Sequence, residues 1–160
     1  MRVPQFLADH QVHFEELYLA PAFSATQRAK HLHVSGKQVA KCVMLIARSG
    51  PLLAVLPATH HIDFHLLASQ LDEDVWLARD EEIAQAFPDC EWGIVLPFGV
   101  VYGLRTLLDE AIHSDDLIVF EGNTHVEAVR LRCCDFERLE QPRRLRFARL
   151  DPQSSNFDGK

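Results

Sequence analysis

Acidic residues are missing from positions 17–62, a stretch without a single Asp or Glu that nevertheless carries Arg28, Lys30, Lys37, Lys41 and Arg48. Cysteine is also scarce: Cys42, Cys90, Cys133 and Cys134 form no Cys-x-x-Cys pair, and two adjacent cysteines bridge each other only with difficulty. Free thiols are therefore expected, with no disulfide framework and no cysteine-based zinc site. No apolar run approaches the roughly 18 residues of a membrane span. The N-terminus lacks the basic, apolar and small-residue order of a signal peptide. The expectation is a cytoplasmic protein with no membrane partner.

What is present is a globular composition, 48% apolar and 24% charged over 160 residues, well away from the disordered regime and close to the usual size of one domain. A net charge of −7 opposes diffuse binding to nucleic acid, because a negative field repels phosphate. The charge is unevenly distributed, however. Positions 63–140 hold 18 acids against five arginines, and Arg143, Arg144, Arg146 and Arg149 follow. Any RNA contact is thereby confined to the early basic third and the end of the chain. DNA binding is disfavoured, since no helix-turn-helix or zinc finger is evident.

Periodicity predicts a helix over 4–10, a strand over 12–19, and a helix capped by Ser24 that runs to about residue 33. Two apolar runs, 39–48 and 52–56, flank the turn residues Ser49-Gly50-Pro51 and read as a central hairpin. The unbroken hydrophobicity of 43–47 predicts a strand covered on both faces. Asp63 caps a helix to about residue 71, 75–78 is a strand, and Asp80 opens a helix that stops at Phe87-Pro88. Residues 92–102 read as a Gly- and Pro-marked loop, 106–108, 117–121 and 126–131 as strands, and 134–139 as a closing helix. The predicted fold is a single α/β domain over 1–140. Its central sheet is mixed, mainly antiparallel and barrel-like, with helices around it. Residues 141–160 are expected to form a basic, mobile tail.

Three segments could carry chemistry. Lys41 opens an otherwise apolar strand, where an ammonium is costly to bury unless it reaches water or an anion. Gly93-Ile94-Val95-Leu96-Pro97-Phe98-Gly99 turns sharply enough to leave backbone N–H groups for an oxyanion or carbonyl. Glu121-Gly122-Asn123-Thr124-His125 separates two strands with a row of hydrogen-bonding side chains. The bland readings are an edge lysine, an ordinary turn and a structural histidine. A rival metal site rests on His60, His61 and His65, two of which are four residues apart; it lacks the Glu of the zinc-protease motif and any nearby Cys.

In order, Gln38-Val39-Ala40-Lys41, residues 93–99 and Phe120 through His125 resemble the YbaK-type, prolyl-tRNA-synthetase-associated editing domains, over about residues 12–140. The resemblance implies a trans-editing deacylase without metal or cofactor. Such an enzyme removes a wrong small amino acid, such as Ala, Cys, Ser or Thr, from the 3′-terminal adenosine of tRNA, with a synthetase as a possible partner. It implies catalytic roles for Lys41, Gly93 and His125, with Lys41 anchoring the acceptor end. It also implies substrate contacts from Cys42, Val95, Leu96, Pro97, Phe98, Gly99, Gly122, Asn123 and Thr124. Cys42 and Leu96 depart from the family pattern, which often has Thr or Asn after the lysine and Ser before the proline. No Ser/His/Asp set is evident; a labile aminoacyl ester requires mainly placement and oxyanion stabilisation. The alternative is a non-catalytic module that binds tRNA or a nucleotide.

Overall fold

The computed structural model describes residues 1–18 and 37–153. The chain runs α1 (Val3–Asp9), β1 (Phe14–Tyr18), β2 (Ala40–Ala47), β3 (Gly50–Pro57), β4 (His60–Ile62), α2 (Phe64–Leu71), β5 (Val75–Leu77) and α3 (Asp80–Ala86). It continues through α4 (Gly99–Tyr102), β6 (Arg105–Asp109), β7 (Leu117–Glu121), β8 (Glu127–Arg132), α5 (Cys133–Glu140), β9 (Arg143–Leu145) and β10 (Ala148–Leu150). The helix expected after Ser24 lies outside the described residues.

The hairpin β2–β3 is the centre of the fold. Ala47 pairs with Gly50, so the turn is Arg48-Ser49, and the register carries Lys41 opposite Leu56 and Cys42 opposite Val55. Around it stands a five-stranded sheet of order β5-β2-β3-β6-β9, in which β3–β6 and β6–β9 are parallel. A three-stranded antiparallel sheet, β1-β8-β7, and a two-stranded ribbon, β10-β4, complete the architecture. The pairing is mixed and, over the three sheets together, mainly antiparallel, although the central sheet has two parallel and two antiparallel pairings, and no barrel closes among the described residues. The two larger sheets meet through one parallel bridge, Val39 to Val119.

Alternation along β2 and β3 sends residues to two cores. Met44, Leu53 and Val55 face a larger core with α1, Leu96, Phe98, Phe120 and Phe136, while Leu45, Leu52, Ala54 and Leu56 face a smaller one with Leu67 of α2 and Phe147. A strand buried on both faces must be apolar throughout, which is why 43–47 has no polar interruption. Phe98 lies within aromatic contact of Phe6, Phe120 and Phe136, at centroid separations of 5.3, 6.0 and 5.8 Å. Such tilted and edge-on contacts add to area burial.

Local signals hold where they are chemically specific. The Asp63 carboxylate accepts the Leu66 N–H at 2.9 Å to cap α2, and the Glu82 carboxylate accepts the Arg79 N–H at 2.8 Å at the start of α3. Two expectations are corrected. Residues 99–102 form a helical turn within the expected loop, ended by Gly103 at φ +70°. The expected tail enters the sheets: β9 lies parallel to β6, β10 pairs with β4, and Phe147 between them is fully buried. The arginines hid this, because two of the four have their charges neutralised within the fold. Arg144 donates to Glu137 at 2.6 Å and to the Ile112 carbonyl at 2.7 Å, and Arg149 pairs with Asp63. Residues 154–160 lie outside the description.

Candidate functional site

The start of β2 presents two chemically different side chains to opposite faces. Cys42 packs with the larger core, and its thiol donates to the Leu96 carbonyl at 3.7 Å, joining β2 to the Gly-Pro loop. Burial, then the Glu140 charge, pushes the Cys42 pKa well above its ordinary value, so the thiol is neutral and no nucleophile. Lys41, one residue earlier, takes the face of its cross-strand partner Leu56. Burial lowers the Lys41 pKa against the opposing pull of Asp151. The same face carries His60, also lowered mainly by burial.

The loop from Gly93 to Gly99 is fixed at both ends. Gly93 has φ +85°, a conformation that a Cβ would strain. Gly99 is buried, and a Cβ there would lie 2.5 Å from both the Leu104 carbonyl oxygen and Thr106 Oγ1. The buried carboxylate of Glu140 accepts the Val100 N–H at 3.2 Å and the Thr106 hydroxyl at 2.5 Å, and it also receives the Gly99 N–H. Burial raises the Glu140 pKa while these bonds oppose the rise. Between the ends, Ile94, Leu96 and Phe98 are anchored in the core. Among the described residues, the N–H groups of Val95 and Leu96 donate to no partner.

The turn after β7 packs against the entrance of this loop. The Asn123 carbonyl accepts the Glu91 N–H at 2.9 Å, the Glu91 carboxylate accepts the His125 N–H at 2.7 Å, and His125 Nε2 lies 3.0 Å from the Trp92 carbonyl oxygen. His125 Nδ1 faces Glu121 Oε1 at 3.1 Å, so both ring nitrogens meet acceptors. Thr124 Oγ1 is buried and has no hydrogen-bond partner among the described residues.

Cys42, the loop 93–99 and the turn 121–125 thus adjoin one another. Lys41 sits at the same end, two residues beyond the Val39–Val119 bridge as Glu121 is on the parallel β7, but its face is the other one. Several expected contact residues act through the backbone or as anchors. The side chains of Leu96, Pro97 and Phe98 are buried, and the Gly99 N–H is taken by Glu140. Asn123 is turned inward, accepting the Val3 N–H at 2.9 Å and donating to the Met1 carbonyl at 2.7 Å. Val95, Gly93 and Thr124 stay at least partly exposed and Gly122 is buried. Sequence reasoning missed Glu140, which reads locally as one more solvated acid. It also passed over Trp92, whose signal was an aromatic side chain amid polar residues just before a glycine.

The histidine rival does not assemble. His61 Nδ1 meets Asp151 Oδ1 at 2.5 Å and His60 Nδ1 meets Thr59 Oγ1 at 2.8 Å. Among the described residues no three His, Cys, Asp or Glu side chains cluster as metal ligands. Nor is any helix among them long and apolar enough to cross a membrane.

The fold has relatives among solved structures. The hypothetical protein APE2540 superposes with a TM-score of 0.83 at 14% identity, over 93% of this chain and 100% of that one. A protein proposed as a trans-editing enzyme for prolyl tRNA synthetase gives 0.70 at 16% identity, over 92% and 95%. A protein proposed to act in signal transduction, from Marinobacter aquaeolei VT8, gives 0.74 at 16% identity, over 93% of this chain but 30% of its own length. At these identities the likeness establishes the fold. No protein of curated function matches the sequence. The aminoacyl-tRNA editing domain family matches residues 20–139, and the chain belongs to that family.

Proposed function

We propose that the protein is a trans-editing hydrolase that deacylates mischarged aminoacyl-tRNA, releasing a small amino acid such as Ala, Cys, Ser or Thr in the cytoplasm. The observation that carries this reading is the loop 93–99. Its ends are fastened by Glu140 and His125, and in its middle the half-buried Val95, beside Cys42, has an N–H that donates to no partner among the described residues. Preorganised backbone donors of this kind stabilise the oxyanion that forms when water adds to an ester carbonyl.

In this reading water attacks the acyl carbon, the bond to the ribose oxygen breaks, and the ribose hydroxyl leaves with a proton. The amino acid departs as a carboxylate. The neighbouring ribose hydroxyl orients the water, so the protein needs no side-chain nucleophile, in keeping with the buried neutral Cys42 thiol. His125, held on both nitrogens, serves to position the loop entrance. Lys41 supplies a cation on the other face of β2, suited to a phosphate of the acceptor end. Exposed Arg143 and Arg146, which form no ion pair among the described residues, offer further phosphate contacts.

The test is release of amino acid from a panel of mischarged tRNAs by the intact protein and by Lys41→Ala. Lys41-dependent release, reduced by roughly tenfold or more on substitution, supports the deacylase; losing a charge-assisted contact has that scale. Binding of tRNA without release from any member of the panel replaces the enzyme with a binding module.

A further inference from the structure

Trp92 leaves 61% of its surface in water, directly before the loop assigned above to the aminoacyl group. Tryptophan is enriched at interfaces, where its broad apolar ring and its N–H can both be used. Trp92 is also held rigidly. Its carbonyl oxygen receives His125 Nε2, and the preceding Glu91 is fastened by its own N–H to Asn123 and by its carboxylate to the His125 N–H. The following Gly93 at φ +85° turns the chain away into the loop. The side chain thus stands on a fixed stretch of backbone directly before the loop, with most of its surface in water.

An aminoacyl ester on tRNA carries its base on the same ribose as the acyl group. Holding the acyl carbon at Val95 therefore brings the base within reach of residues flanking the loop. Exposed indole faces are the usual partners of unpaired bases, which stack on them with little regard to sequence. We propose that Trp92 is the stacking platform for the terminal adenine of the tRNA acceptor end. The inference rests on the deacylase reading for its ligand. It assigns Trp92 affinity for an unpaired 3′ end and leaves the choice among tRNAs to other surfaces.

The chain has two tryptophans, so each can be isolated. Trp76 lies on the edge strand β5, opposite Ile46. In full-length Trp76→Phe, leaving Trp92 as the reporter, adenosine 5′-monophosphate and the trinucleotide CCA are expected to quench indole fluorescence saturably. In Trp92→Phe, where Trp76 reports, they are expected not to. On mischarged tRNA, Trp92→Ala should raise KM by roughly 5- to 100-fold, the range of one lost base stack, and Trp92→Phe should recover part of it. The loss should be confined to substrates that bear the base, so a simple aminoacyl ester shows no comparable rise. Absence of quenching in Trp76→Phe overturns the proposal, as does an unchanged KM for Trp92→Ala on tRNA or an equal rise on the simple ester. If the intact protein releases no amino acid at all, the deacylase reading fails by itself. The quenching experiment then still decides whether Trp92 stacks an unpaired 3′ end.

Discussion

The thiol of Cys42 lies 3.7 Å from the carbonyl oxygen of Leu96, across 54 residues of sequence, and ties the central hairpin to the middle of the Gly-Pro loop. The contact pairs the two positions at which this chain departs from the family pattern. Cys42→Ala removes it and opens a small space beneath the loop. We expect a loss of about 1 kcal/mol in denaturant unfolding, in the range for deleting a small buried group. We also expect an altered ranking of released amino acids. An unchanged ranking would remove Cys42 from the specificity pocket.

Glu140 and Gly99 hold the far end of the same loop. Glu140→Ala leaves the Val100 N–H and the Thr106 hydroxyl without their acceptor, at an expected cost of about 2–3 kcal/mol. Gly99→Ala forces a methyl against the Leu104 carbonyl and Thr106, at about 1–3 kcal/mol. Turnover should fall more than binding of uncharged tRNA in both variants, since the loop amides shift while Lys41 and Trp92 remain. Parallel losses of binding and turnover would make Glu140 a purely structural residue.

The residues from Arg143 to Leu150 belong to the folded domain, and removing them should show it. Phe147 is fully buried, and its N–H and that of Ala148 are accepted by Asp109 at 2.9 and 2.8 Å. Phe147→Ala should cost about 3–5 kcal/mol, and truncation after Gln141 more, read by thermal or denaturant unfolding. A truncated chain as stable as the intact one would contradict the placement of β9 and β10.

Acid should weaken the attachment of this segment. The hydrogen bond from Arg144, aided by the Ser114 hydroxyl, holds the Glu137 carboxyl below its ordinary value. A depressed carboxylate contributes stability above its unfolded pKa of about 4.3 and loses it as pH falls through the lower folded value. The stability difference between the intact protein and Glu137→Gln should therefore be constant from neutrality down to about pH 5 and shrink below about pH 4. Denaturant midpoints across that range measure it. A difference independent of pH would deny Glu137 its ionised role.

Much of the framework was legible along the chain because its causes are local. Asp63 caps α2 through a neighbour three residues away, and two apolar runs flank the hairpin turn, although the turn falls at Arg48-Ser49 and the expected turn residues Gly50 and Pro51 are already paired in β3. The positive φ of Gly93 sits where the glycine does. The loop and the turn that form the candidate site were both visible as interruptions of apolar pattern.

Tertiary contacts decided what those residues do. Nothing near Asn123 says that its amide will be turned inward to the backbone of Met1 and Val3, some 120 positions earlier. Nothing near Glu140 says that it will fasten the end of a loop 40 residues away. The arginines of β9 and β10 read as a solvated tail until Glu137 and Asp63 neutralise two of them. The sequence by itself determined which elements form, because helix caps, turns and alternation are satisfied within a few residues. Which polar groups face substrate and which face one another depended on partners that only the folded chain brings together.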